Sequence, residues 1–138
     1  MKATDDIKSK ISQGTLTGKE IDPVLLQLRD VLINKKAGYE SISEKDFEAL
    51  LFYRNVLDKL LDIEEGHINF SVKECQKYNL NFLKIKKLLE EPEKNSYIKK
   101  LHQAAFGGFI VMEVIDKSKF KEFLYRNIEN SLSILKQE

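Results

Sequence analysis

The sequence predicts a mainly α protein that carries a small β-hairpin. Three observations lead there. Apolar residues recur at helical spacing across 24–32, 47–61 and 120–135. A β-branched run, 109–115 (FIVMEVI), has the composition of a strand and follows the turn-forming Phe106-Gly107-Gly108. Ser/Thr/Asp residues stand ahead of several of the helical runs, where N-caps are needed.

The chain has 138 residues, enough for one domain or one domain with tails. The expected division is a flexible arm over 1–20 and a single domain over 21–138. Apolar content of 42 % with 33 % charged residues is ordinary for a globular chain, and a net charge of +1 makes the whole neither polybasic nor acidic. A single cysteine, Cys75, implies no disulfide framework and fits a reducing compartment. The opening MKATDDIKSK has no apolar core of a secretory leader. No apolar run approaches the ~18 residues of a bilayer span. The expected location is the cytoplasm, with no membrane partner.

Taken in order, residues 1–20 are polar, and Gly14 and Gly18 interrupt any period. Asp22-Pro23 reads as a helix start, Asp as N-cap and Pro in the first turn. Val24, Leu25, Leu28, Val31 and Leu32 then line one helix face, and Gly38 stops it. Ser41 with Glu44 makes a possible capping box for a long amphipathic helix. That helix carries Phe47, Leu50, Leu51, Val56, Leu57, Leu60 and Leu61, and Gly66 ends it. Ile68-Asn69-Phe70 reads as an extended bridge. Ser71 with Glu74 is a second capping box for a helix ending near Tyr78.

A new helix follows over about 81–91, closed by Pro92. Residues 96–105 read as the first arm of a hairpin, with a helix capped by Ser96 as the rival. The tail, 117–136, is helical through Phe120, Phe123, Leu124, Ile128, Leu132 and Leu135.

Nothing assembles an active site, so the chain is not expected to be an enzyme or to hold a cofactor or metal. Glu64 and His67 form a lone E-x-x-H, whereas carboxylate-bridged metal bundles use two such motifs and further carboxylates. Cys75 has no zinc-ligand partners, and burial would keep it unreactive. Asp58, Asp62, Glu64 and Glu65 read as a solvated helix face.

The informative stretch is Ser71–Leu89, SVKECQKYNLNFLKIKKLL. It reads as two short helices joined by a tight turn. Cys75 is the small residue where they cross, Asn79 sits where a positive φ is needed, Leu80 plugs the turn, and Ile85 and Leu88 pack the second helix. The order of long helix, short extended bridge, helix, turn, helix and hairpin resembles the winged helix-turn-helix superfamily over about residues 45–115. The resemblance implies a winged-helix core with extra N- and C-terminal helices. It implies that helix 81–91 enters the major groove of double-stranded DNA and that a wing over about Lys99–Gly108 touches the backbone or the minor groove. The implied contact residues are Lys73, Asn81, Lys84, Lys86, Lys87, Lys99 and Lys100, with His102 near phosphates. Asn81 is the candidate for an adenine edge.

Charge agrees with this reading. Residues 71–101 hold eight lysines against four glutamates, a local +4 that leaves −3 elsewhere. Lysines that neutralise phosphates release counterions, which supplies non-specific affinity. Large apolar side chains at Phe82 and Leu83 instead suit a protein partner. The alternative is therefore a non-enzymatic adaptor, a winged-helix or helical-bundle subunit of a larger complex. The aromatic-rich C-terminal helix 117–136 suggests a homodimer joined through Phe120, Phe123, Leu124, Ile128, Leu132 and Leu135. Such a dimer would set two recognition helices ~34 Å apart, about one DNA turn.

Overall fold

The computed structural model describes residues 2–34, 44–63, 66–76, 80–103 and 109–132. It is mainly helical with a small antiparallel sheet of three strands. The chain divides into two compact units, 1–58 with 124–138, and 59–123, where the sequence suggests one domain over 21–138.

The first unit begins with helix α1 (Lys2–Gln13). Thr4 and Ile7 are buried on it, and Leu16 is fully buried just beyond it. This corrects the expected flexible arm over 1–20. Gly14 does break the helix, but as its C-terminal cap. It takes φ +71, its N–H bonds Ile11 O at 3.0 Å, and Thr15 N bonds Lys10 O at 2.9 Å. That is the paired hydrogen bonding by which a left-handed residue closes a helix.

Helix α2 (Gly18–Asn34) starts four residues before the expected Asp22 cap. Thr17 caps it instead. Its backbone N–H and its hydroxyl both bond the Glu20 carboxylate, at 3.1 and 2.7 Å, a capping arrangement that satisfies the N-terminal donors. Pro23 lies inside α2, and its ring removes only the N–H that would have reached Lys19 O. Ile21, Val24, Leu25, Leu28 and Val31 form the buried stripe. Asp22, freed from capping, grips Arg54 through two bonds of 2.9 and 3.1 Å.

Arg54 belongs to α3 (Glu44–Leu61). It also pairs with Asp58 at 2.7 Å, and Asp58 accepts the Gly18 N–H at 3.0 Å. Asp58 is thus a structural carboxylate rather than part of a solvated face. A Cβ on Gly18 would lie 2.7 Å from both Asp58 oxygens and 2.8 Å from the Arg54 guanidinium carbon, so a side chain there would push this ion pair aside. On α3, Leu50, Phe52, Tyr53, Val56, Leu57 and Leu60 are buried, while Phe47, Leu51 and Leu61 are half-buried. Tyr125 completes this unit by donating its hydroxyl to Leu16 O at 3.2 Å. The expected Gly38 stop and the Ser41 cap lie outside the described residues.

The second unit is built on β1 (Gly66–Ser71), β2 (Ile98–Gln103) and β3 (Phe109–Val114), in the order β1-β3-β2. The expected bridge at 68–70 is therefore a paired strand. Gly66 opens it at φ +118 rather than ending α3. Strand alternation puts Ile68 and Phe70 inward opposite Met112 and Ile110, and His67 and Asn69 outward. Residues 98–103 form a strand, which rules out the rival helix there. Ser96 takes φ +62, a turn geometry incompatible with a helix N-cap, and Ile98 pairs with Val114.

Helices α4 (Val72–Gln76), α5 (Phe82–Leu88) and α6 (Glu90–Lys94) lie between β1 and β2 in the chain. Helix α7 (Lys117–Leu132) follows the sheet, with Asp116 accepting the Lys119 N–H at 3.0 Å as its cap. Phe120 and Phe123 are stacked within this unit, 6.2 Å between ring centres.

The proposed dimer face on α7 is corrected by burial within the single chain. Phe120, Leu124, Ile128 and Leu132 are fully buried and Phe123 is 4 % exposed. A side chain already covered by its own chain has nothing left to offer a partner. Leu135 lies outside the described residues.

Docking of α1 is testable. Ile7→Ala should lower stability by about 2–5 kcal/mol, measured by urea denaturation, whereas a detached arm would leave the midpoint unchanged.

Candidate nucleic-acid interface

Among the described residues, four side chains in the stretch from α4 to the end of α5 are buried. Cys75 on α4, Leu80 in the connection, and Ile85 and Leu89 at i,i+4 spacing are all buried. Leu89, rather than the expected Leu88, is the fully buried partner of Ile85. Leu80 N bonds Cys75 O at 3.1 Å, which ties the connection to α4. The expected Asn79 turn lies outside the described residues.

Ser71 caps α4 as expected, accepting the Glu74 N–H at 3.0 Å. Glu74 then pairs with Lys59, 3.7 Å away, and Lys59 also lies 5.2 Å from the centre of the Phe70 ring. Burial first, and the neighbouring Glu74 carboxylate second, push the Cys75 thiol up from 9.0 to about 11.

The expected helix over 81–91 is two helices. Pro92 sits inside α6 and is buried. It has no N–H for the carbonyl four residues back, and its ring crowds that carbonyl. That residue is Leu88, the last of α5. Leu89 at φ −107, ψ 16 makes the corner.

Asn81 starts α5 in an extended conformation, and its side-chain oxygen accepts the Lys84 N–H at 2.9 Å. Bidentate recognition of adenine would ask the same oxygen for a second bond. The outward side of α5 carries Leu83, Lys84, Lys86 and Lys87, all exposed, with Leu83 at 74 %. The helix holds three lysines and no acid. Lys73 on α4 is exposed as well.

On β2, Lys99 is exposed, and Lys99 and Lys100 occupy a register irregularity between Ile98 and Leu101. A bulge of this kind re-aims side chains at a sheet edge. The backbones of Lys100 and His102 lie in β2, but their side chains, that of Phe82 and the expected wing tip at 104–108 fall outside the described residues.

The sequence reading missed the neighbourhood that α6 creates. Leu83, Lys86, Lys87, Glu90, Glu93 and Lys94 line one open depression. Glu90, Glu91 and Glu93 crowd the first turn of α6, where negative charge favours a helix N-terminus. The corner at Leu89 therefore sets an acidic turn directly against the lysine face. The signal for it was Pro92 read through its missing N–H, four residues upstream.

Elsewhere, His67 is exposed on β1, and Glu64 lies outside the described residues. Among the described residues no group of three or more His, Cys, Asp or Glu is placed to hold a metal, and no helix is long and apolar enough to cross a membrane. No family model matches the chain, and no curated protein or solved structure is significantly similar to it.

Two outcomes follow. Asn81→Ala should cost about 1 kcal/mol through the lost cap while Asn81→Ser retains it, read by thermal denaturation. Alkylation of Cys75 should be far slower in the folded than in the urea-unfolded chain. The unfolded thiol ionises near 9.0 and the folded one near 11. The stability contributed by the protonated thiol is therefore fully present below pH 9 and lost as pH rises through that window.

Proposed function

We propose that residues 59–123 form a winged helix-turn-helix module that binds double-stranded DNA, and that the chain acts as a DNA-binding regulator in the cytoplasm. The observation that carries the reading is the outward face of α5. It offers Lys84, Lys86 and Lys87 with no acid in the same helix, while Ile85 and Leu89 anchor its other side. The element order supports it. The end of α3 leads into β1, α4, α5 and then the paired strands β2 and β3, with the short α6 as an addition to the order that the resemblance implies. Lys73 and Lys99 add exposed positive charge on α4 and β2.

Lysine is a mobile point charge suited to phosphate oxygens. The contacts proposed here are therefore positioning contacts to the backbone, and they confer steep salt dependence rather than base selection. No catalytic step and no cofactor enters this reading.

A specific observation favours a second reading, a protein-interaction adaptor. Leu83 is 74 % exposed in the middle of the lysine face, and the glutamates of α6 border it. A mixed-charge rim around an apolar anchor is suited to a protein surface.

Salt separates the two. In fluorescence anisotropy with a mixed-sequence duplex of about 30 base pairs, affinity should fall steeply with salt. Lys86→Glu/Lys87→Glu should weaken binding about tenfold or more and lower the log–log salt slope by about 2. A folded protein that does not bind the duplex at low salt would replace the DNA reading with the adaptor.

A further inference from the structure

With the α7 stripe used up in the chain's own core, the exposed apolar side chains among the described residues are Leu26, Ile33, Leu83 and Ile115. Leu26 and Ile33 belong together. They stand seven residues apart on α2, each 67 % exposed. Two helical turns nearly superimpose them, at 100° per residue, on one line along the helix. This line faces away from the buried stripe of Ile21, Val24, Leu25, Leu28 and Val31.

Between them, Arg29 and Asp30 are both exposed. On the helical wheel they fall on opposite sides of the Leu26–Ile33 line, about 50° to either side of it. Asp30 is held in place by Asn34, whose amide donates to its Oδ1 at 2.6 Å. The pattern is an apolar line flanked by a cation on one side and an anion on the other, at nearly the same height.

That arrangement distinguishes the two ways a helix can pair with a copy of itself. In an antiparallel pair the two-fold axis brings like sides together, setting Arg29 against Arg29 and Asp30 against Asp30. In a parallel pair the axis runs along the helices and opposite sides meet. Leu26 then contacts Leu26, Ile33 contacts Ile33, and each Arg29 faces the other copy's Asp30, twice by symmetry. Charge complementarity thus selects one occupant and one orientation.

We propose that the exposed face of α2 is a self-association surface on which a second copy of this chain packs in parallel. Leu26 and Ile33 form the apolar contact, and reciprocal Arg29–Asp30 ion pairs set its orientation. Lys19, one heptad before Leu26 and exposed, would meet its own copy. The close contact is therefore confined to 26–33, and the helices diverge toward their N-termini. Two apolar side chains per copy make this a weak, reversible pair, well below the area of an obligate dimer. The proposal does not rest on DNA binding.

The test is sedimentation equilibrium of the full chain up to roughly 0.5 mM, where a millimolar to micromolar association is measurable. Wild type should show a monomer–dimer equilibrium, and Leu26→Asp/Ile33→Asp should remain monomeric. Arg29→Asp and Asp30→Arg should each weaken association about tenfold, because each replaces two attractions by two repulsions. The double exchange Arg29→Asp/Asp30→Arg should return it to within about threefold of wild type. All four positions are exposed, and circular dichroism verifies the fold of each variant. A wild type that stays monomeric throughout overturns the proposal. So does a dimer indifferent to the charge reversals, or a double exchange no better than the single ones.

Discussion

The second unit depends on one long-range strand pairing. β1 leaves α3 at Gly66 and pairs along its whole length with β3, which arrives more than 40 residues later. Without that pairing, the buried side chains of β1 and β3 have no common face. Ile68 and Phe70 lie opposite Met112 and Ile110, and all four are buried. Because β3 is the central strand, β1 and β2 become the two edges. Everything between them in the chain, α4 through α6, then has to span from one edge to the other. α4 packs against β1 and α6 against β2. The exposed side of α5 is where this span meets solvent.

Within the span, local chemistry decides where helices start and stop. Ser71 and Asn81 each accept an N–H three residues on, which fixes the first turns of α4 and α5. Pro92 acts from a distance: it has no N–H to donate to the carbonyl four residues back, and its ring crowds that carbonyl. The outcome is a seven-residue helix rather than a longer one, and an acidic turn placed beside a basic face. The lysines of α5 thus act in a local field already tempered by Glu90 and Glu93. If α5 binds DNA as proposed, these glutamates lower the net positive charge that the duplex meets.

Strong local signals were legible in the sequence. The α3 and α7 stripes, the Ser71 cap and the burial of Cys75 and Leu80 all follow short-range patterns that tertiary packing had no reason to override. Two kinds of feature were harder to read. The first is weak periodicity rescued by tertiary contact. α1 buries only Thr4 and Ile7 among its described side chains, and it looks polar until Leu16 is seen beneath Tyr125. The second is a competition between two valid local rules. Asp22-Pro23 is a sound helix start, yet Thr17 with Glu20 is a better one, and the Arg54 guanidinium claims Asp22. The aromatic richness of α7 was a true signal of burial assigned to the wrong partner, because a pattern alone does not say whether the covering surface belongs to the same chain.

The lysine face of α5 is the proposed nucleic-acid surface, and Lys99 of β2 belongs to the same unit. The most direct test is a titration of the isotopically labelled protein with a mixed-sequence duplex, followed by backbone amide NMR. The amides of Lys84, Lys86, Lys87 and Lys99 should shift first, and these shifts should fade as salt is added. Saturable shifts confined to the first unit, or an unchanged spectrum at low salt, would contradict it.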